Sequence, residues 1–115
     1  MAGATQAEDT LLSYPPAIQE AQKAVLSLHE DYEAKKADVN KHIARFGSQV
    51  ANNPALKNAE QRTAELKALM AADLEYQSDE EQSVALREKC ELARIDLEYL
   101  QNMFRAHLAI VGGRQ

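Results

Sequence analysis

The 115-residue sequence has no Trp, one Cys, three Pro and four Gly. A single Cys excludes an intrachain disulfide framework and is typical of a reducing, cytoplasmic setting. The glycines stand at positions 3, 47, 112 and 113, so no glycine-rich loop for a phosphate group can form. Residues that favour strands never cluster, whereas Ala, Leu, Glu, Gln and Lys dominate, as in long helices and coiled coils. We therefore predict an all-α protein with no sheet.

Long apolar segments are also missing. No apolar run approaches the roughly 20 residues that span a bilayer. The first ten residues contain neither the basic nor the apolar region of a signal peptide. The net charge of −5 argues against binding of the whole chain to DNA or to anionic membranes. We expect a cytoplasmic protein that makes no membrane contact.

The sequence lacks catalytic and metal-binding patterns as well. His29, His42 and His107 have no partner at the spacing of the familiar zinc sites. Cys90 falls on an apolar stripe, where a thiol behaves as a small hydrophobic group. The acidic run at 79–81 is explained by a helix start, where the helix dipole favours carboxylates. We therefore expect no enzyme activity, no catalytic residue, no metal and no cofactor.

Two long helices account for the apolar periodicity. Proline is tolerated in the first turn of a helix, so Pro15-Pro16 predicts a first helix from about residue 16 to 46, after a flexible tail at 1–14. Gly47 would terminate this helix. Asn53-Pro54 combines a strong N-cap with proline at the first helical position and predicts a second helix over about 54–111. So short a connection makes the helices antiparallel neighbours, and residues 15–113 would form one helical-hairpin domain.

The two predicted helices differ in length. Counting outward from the turn places Phe46 beside Leu56 and Tyr32 beside Met70, and leaves residues after about 85 beyond the start of the first helix. This overhang carries the most regular apolar stripe of the chain, with steps that alternate between four and three. The stripe consists of Leu86, Cys90, Ala93, Leu97, Leu100, Phe104, Leu108 (or His107 in its place) and Val111. Because soluble monomers rarely expose so large an apolar patch, we predict that it is the interface of a homo-oligomer, most simply a dimer.

A second arrangement also fits the sequence. Ser78 and Glu81 have the spacing of a capping box, and the heptad phase shifts in the same region. A chain that turned at Ser78 would form a monomeric three-helix bundle. However, residues 71–84 contain no Gly or Pro, and a shifted phase can be absorbed within one helix. We favour the continuous helix for these two reasons.

Charge is unevenly distributed along the chain. Residues 35–67 carry seven bases against three acids, whereas the segments on both sides are acidic. The bases are Lys35, Lys36, Lys41, Arg45, Lys57, Arg62 and Lys67. The hairpin would gather them near its turn. There they would pair with acids of this chain or of another protomer, or contact an acidic partner or a nucleic-acid backbone.

These patterns favour a non-enzymatic helical interaction or oligomerisation protein, which could also serve a larger protein partner. The alternative from another functional class is a nucleic-acid accessory protein of replication or recombination. That protein would use the basic residues of the hairpin tip to contact phosphates.

Two resemblances bear on this choice. The run Lys-Asn-Ala-Glu-Gln-Arg at 57–62, with the Leu-Glu-Tyr segments at 74–76 and 97–99, resembles small helical coiled-coil proteins of temperate phages and prophages. It covers residues 55–106 and implies a phage-derived interaction protein, with no site residue to transfer. Size and hairpin shape are also similar to small secreted helical hairpins whose turn carries Trp-x-Gly. Here the corresponding residues are Arg45-Phe46-Gly47, without Trp, and a secreted hairpin is the third alternative.

Overall fold

A computed structural model describes the backbone of residues 2–113 and the side chains of residues 8–113. The chain forms three α-helices in this range: α1 (Ala2–Ala51), α2 (Ala59–Ala72) and α3 (Leu74–Gly112). No strand occurs among the described residues. The predicted all-α class is confirmed. The two long helices run antiparallel at both ends, because His42 in the last part of α1 contacts Asp79 in the first part of α3, and Tyr14 in the first part of α1 contacts Phe104 in the last part of α3.

The first helix is longer than predicted. It begins at Ala2 rather than near Pro16, so both prolines lie inside it and the described part of the predicted tail is helical. Proline has no N–H, and the carbonyls of Leu11 and Leu12 therefore lose their usual helical donors. Packing offsets this local cost, since the Tyr14 ring lies 5.7 Å from the ring of Phe104 on α3 and 5.3 Å from that of His107.

The end of α1 and the start of α2 also differ from the prediction. Gly47 lies within α1, which continues to Ala51 and buries Val50. Asn53 forms a turn instead of a helix cap: its Oδ1 accepts from the Ala55 N–H at 3.0 Å and its carbonyl accepts from the Leu56 N–H at 3.2 Å. The helix begins five residues later than predicted, at Ala59 rather than at Pro54.

The N-cap of α2 is Asn58. Its Oδ1 accepts a hydrogen bond from the Gln61 N–H at 2.8 Å, and the Gln61 side chain accepts in return from the Lys57 N–H at 2.6 Å. This reciprocal pair satisfies two backbone donors that a helix start would otherwise leave without partners.

The predicted continuous helix over 54–111 is wrong, because the chain breaks at Asp73. Asp73 is the C-cap of α2, and its Oδ1 also accepts from the Tyr76 N–H at 2.8 Å, as an N-cap of α3 does. The Gln77 side chain donates to the Ala71 carbonyl at 2.5 Å. These hydrogen bonds give partners to backbone groups at the end of α2 and at the start of α3, so the break needs neither Gly nor Pro. The alternative break was also misplaced, since Ser78 lies inside α3.

Two units can be distinguished within the chain. Unit 1 comprises Met1–His29 and Glu88–Gln115, and unit 2 comprises Glu30–Arg87. The core of unit 2 consists of Val39, Phe46 and Tyr76, packed by three residues of α2, namely Leu66, Leu69 and Met70. Phe46 is 1% exposed, and its ring lies 5.6 Å from that of Tyr76. Phe46 thus packs against Tyr76 of α3 and residues of α2, whereas the predicted hairpin placed it beside Leu56.

Unit 1 consists of the first part of α1 and the last part of α3. Six residues of the predicted interface stripe lie on the inner face of α3 here: Cys90 is buried, and Ala93, Leu97, Leu100, Phe104 and Val111 are half-buried. The other two differ, since Leu86 belongs to unit 2 and Leu108 is 47% exposed. Tyr14 of α1 packs against Phe104. Because α1 reaches back to Ala2, this end of α3 is not an overhang. The predicted overhang is therefore wrong, and the prediction of an oligomer interface on this stripe loses its basis.

Candidate functional site

The structure brings carboxylates of α3 onto the basic segment of α1. Lys35 Nζ lies 3.4 Å from Asp79 Oδ1 and 3.7 Å from Asp38 Oδ2. Arg45 Nη2 lies 3.0 Å from Asp73 Oδ2. The Arg45 guanidinium also lies 4.6 Å from the centre of the Phe46 ring. These two bases are thus paired within the chain. Of the acids in the basic segment itself only Asp38 takes part in these contacts, and the other two partners, Asp79 and Asp73, lie beyond that segment.

The other predicted basic residues are exposed. Lys36 Nζ lies 5.7 Å from the centre of the Tyr32 ring. Lys41 borders a surface pocket whose other lining residues include Asp38, Glu75 and Asp79. The remaining bases of the set are Lys57, Arg62 and Lys67. Because carboxylates alternate with the bases along the α1–α3 contact, this part of the molecule does not present a surface of one charge sign.

A polar cluster lies at the centre of this contact. His42 Nε2 is 2.9 Å from Asp79 Oδ2, and His42 Nδ1 is 3.1 Å from Arg45 Nη2. A guanidinium can only donate. In this arrangement His42 Nδ1 therefore accepts from Arg45, and Nε2 donates to Asp79. The two side chains are largely shielded, with 13% of His42 and 17% of Asp79 exposed.

The hydrogen bonds of the cluster shift the acidity of its carboxyl groups. The bond from His42, followed by that from Lys35, lowers the pKa of Asp79. For Asp73, the backbone N–H of Tyr76 and then the Arg45 side chain lower the pKa. Burial, followed by the charge of Glu80, raises the pKa of the Tyr76 hydroxyl. Each shift favours the form that makes the native contacts, namely ionised Asp73 and Asp79 and a neutral Tyr76 hydroxyl.

His42, Glu75 and Asp79 could in principle hold a cation, since one potential ligand atom of each lies within 4.8 Å of the others. Two of these residues already serve another purpose, because His42 and Asp79 hydrogen-bond to each other. The ammonium of Lys35 also lies beside Asp79, and a positive charge there opposes a metal ion. Sequence reasoning missed this cluster because His42 and Asp79 are 37 residues apart on different helices. No short sequence motif joins them.

A second feature is the solvent-facing side of α3 in unit 1. Leu92 is 62% exposed, Ile95 60% and Tyr99 62%. These residues begin a row at heptad spacing, which we name the outer stripe. The outer stripe consists of Leu92, Ile95, Tyr99, Asn102, Ala106 and Ala109, all of them exposed. It is distinct from the inner face that contains Leu97 and Leu100. The heptad spacing of the outer stripe is visible in the sequence. The interface was nevertheless predicted on the inner row, because that row is more regularly apolar.

Comparison with known proteins identifies no relative. No family model, no curated protein and no solved structure matches the chain. Among residues 2–113, no helix combines the length and the apolarity that are needed to span a membrane.

Proposed function

We propose that this protein is a non-enzymatic helical interaction protein and that it associates through the outer stripe of α3. The observation that carries the proposal is the uneven distribution of buried and exposed apolar residues. Among the described side chains, four of the five buried hydrophobic residues belong to unit 2, and Cys90 alone belongs to unit 1. Unit 1 nevertheless exposes Leu92, Ile95 and Tyr99.

The energetics support an association at this surface. A pair of helices obtains most of its stability from tertiary packing, and the seam between α1 and α3 in unit 1 is mainly half-buried. Full burial of a Leu or Ile side chain contributes about 1.5–3 kcal/mol. A partner that covered Leu92, Ile95 and Tyr99 would supply the second apolar layer that unit 1 lacks. Ile110, which is 55% exposed, lies close to the same row.

The proposal also includes a phage or prophage origin, which rests on the sequence resemblance alone. A nucleic-acid role for the basic residues has less support, because Asp79 and Asp73 pair with Lys35 and Arg45. A secreted hairpin has less support as well. Arg45-Phe46-Gly47 lies inside α1, where Phe46 is buried, and not in a turn.

Size-exclusion chromatography with light scattering tests the association. The wild-type chain, of 12.8 kDa, should show a mass that rises with concentration towards a multiple of this value. Replacing Ile95 and Tyr99 together with Lys should return the mass to that of one chain, because burying the two charges opposes contact. Circular dichroism should show unchanged helix content.

Leu74→Lys provides the matched control. Leu74 is 79% exposed, more than Leu92, Ile95 or Tyr99, but it lies at the start of α3 in unit 2. This variant should associate as the wild type does. A wild-type mass of one chain at every concentration would contradict self-association, and an equal loss of association in the Leu74→Lys variant would show that the outer stripe is not the surface involved.

A further inference from the structure

The order of side-chain sizes along the outer stripe indicates what covers it. The first three residues, Leu92, Ile95 and Tyr99, are large, and the last three, Asn102, Ala106 and Ala109, are small. Seams between helices pack well when large residues face small ones, so that the volume stays even along the interface. An identical helix in antiparallel orientation meets this condition. It places Leu92 opposite Ala109, Ile95 opposite Ala106 and Tyr99 opposite Asn102.

We propose that a second copy of this chain occupies the outer stripe, with the two α3 helices antiparallel about a two-fold axis between Tyr99 and Asn102. This inference rests on the proposed function and specifies its partner, orientation and register. A two-fold interface is self-complementary, so every contact occurs twice. A parallel pair would instead set large residues against large ones and alanines against alanines, which leaves strain at one end and cavities at the other.

Charges beside the stripe favour the same orientation. Glu98 directly precedes Tyr99 and Arg105 directly precedes Ala106, so both occupy the same flanking position of the heptad. Equivalent flanking positions face each other across an antiparallel seam. Glu98 of each copy therefore meets Arg105 of the other copy, giving two pairs of opposite charge. In a parallel pair the flanking residue of one copy faces the residue five positions further along the other copy. Glu98 would then face Met103 and Arg105 would face Ile110, so neither charge would have an opposite partner. Both side chains are exposed, and Arg105 Nη1 donates to Asn102 Oδ1 of the same helix at 3.4 Å.

The central layer specifies the register. A hydroxyl of Tyr99 and an amide of Asn102 can hydrogen-bond across the seam, so neither polar group is buried without a partner. Sliding one helix by a heptad would place Leu92 opposite Asn102 and Ile95 opposite Tyr99. That arrangement buries an amide against an aliphatic side chain and crowds two large residues. A single polar residue in an otherwise apolar seam is a common means of selecting one register.

Charge reversal with rescue tests the orientation. Glu98→Arg alone and Arg105→Glu alone should each weaken dimerisation by about tenfold, because both symmetric pairs become repulsive. The double variant, Glu98→Arg with Arg105→Glu, restores opposite charges and should return the dissociation constant close to the wild-type value in sedimentation equilibrium. Arg94→Glu is the matched control, since it makes the same charge change on an exposed residue of α3 outside the flanking positions. It should have little effect.

Disulfide cross-linking tests the register independently. In a Cys90→Ala background, chains with Ile95→Cys and chains with Ala106→Cys should form a mixed disulfide under mild oxidation, and neither variant should cross-link efficiently with itself. Self-cross-linking of Ile95→Cys would indicate a parallel pair and overturn the inference.

The outcomes separate this inference from the function on which it rests. If the wild type dimerises but the charge rescue and the mixed disulfide both fail, the antiparallel register is wrong and the association remains. If the wild type never associates, both proposals fail. Association only with a different protein would likewise overturn the assignment of a second copy.

Discussion

At the scale of single residues, Asp79 connects the two long helices within unit 2. One of its carboxylate oxygens contacts His42 and the other contacts Lys35. Asp73 plays a related part six residues earlier, where it caps α3 and pairs with Arg45. These two aspartates hold the start of α3 against α1. Their ionised forms are therefore part of the native structure, and their protonation should weaken it.

The pKa shift of Asp79 predicts acid sensitivity. Its folded pKa lies below the unfolded value of 3.8, so the unfolded state takes up a proton first as the pH falls. The stabilisation is complete above the unfolded pKa and is lost as the pH falls through the lowered folded pKa. Denaturant midpoints measured from about pH 6 down to about pH 2 should decrease for the wild type, and less steeply for Asp79→Asn.

Asp31→Asn is a suitable comparison for this titration. Asp31 is exposed, lies on α1 and belongs to the same unit as Asp79. Its replacement should leave the wild-type acid profile in place. Equal profiles for the wild type and Asp79→Asn would show that this carboxylate does not contribute to the pH dependence.

At the scale of elements, α1 contains features that normally end a helix. Pro15, Pro16 and Gly47 all lie within it. Each disfavours the helix through the local backbone, and tertiary contacts on either side offset that effect. Tyr14 packs on Phe104 just before the proline pair, and Phe46 and Val50 are buried on either side of Gly47. The extent of α1 is therefore determined by packing rather than by local helix preference.

Gly47→Ala should stabilise the protein. A Cβ placed at Gly47 would have no atom within 4 Å, and Ala is favoured over Gly in a helix interior by about 1 kcal/mol. Urea denaturation should show an increase of about this size in the free energy of unfolding. Gly112→Ala also adds a Cβ in open space, but at a frayed helix end, and should change stability much less. A loss of stability in Gly47→Ala would mean that α1 is not helical at this position.

The helix α3 presents apolar residues on two sides. The row with Leu97 and Leu100 lies inside unit 1, whereas the row with Leu92 and Ile95 faces solvent. A helix with one buried face normally has a polar opposite face, so apolar residues on both sides indicate a position between two layers. One layer is α1, and we propose that the other belongs to a partner.

At the scale of the whole molecule, the two units differ in how they are stabilised. Unit 2 has a three-helix core around Phe46, with ion pairs at its edge. Unit 1 has two helices, and Cys90 is its one buried hydrophobic side chain among those described. Segments with fewer buried apolar contacts open locally at a lower free-energy cost. Unit 1 should therefore depend on association more than unit 2 does.

Hydrogen exchange measured by mass spectrometry should reveal this dependence. At low protein concentration, amides of unit 1 should exchange faster than amides in the helices of unit 2. Raising the concentration should slow exchange in the segment around Leu92–Ala109, because association adds protection there. Exchange in unit 2 should change little. Uniform protection at all concentrations would argue against a partner layer on α3.

Part of this architecture follows from the sequence alone. The scarcity of Gly and Pro and the heptad spacing of apolar residues were sufficient for the all-α class and for two long antiparallel helices. Such properties depend on neighbours within a turn or two of the chain, so a single sequence contains the needed information.

Only the tertiary structure decided where the helices begin and break and which stripe of α3 faces inward. The break lies at Asp73, where Arg45 and Gln77 complete the cap, although Ser78 offers an equally good local signal. The start of α1 depends on Tyr14 reaching Phe104, and the polar cluster depends on His42 meeting Asp79. These outcomes result from contacts between residues far apart in the sequence, whose free energies exceed the small local preferences that sequence patterns report.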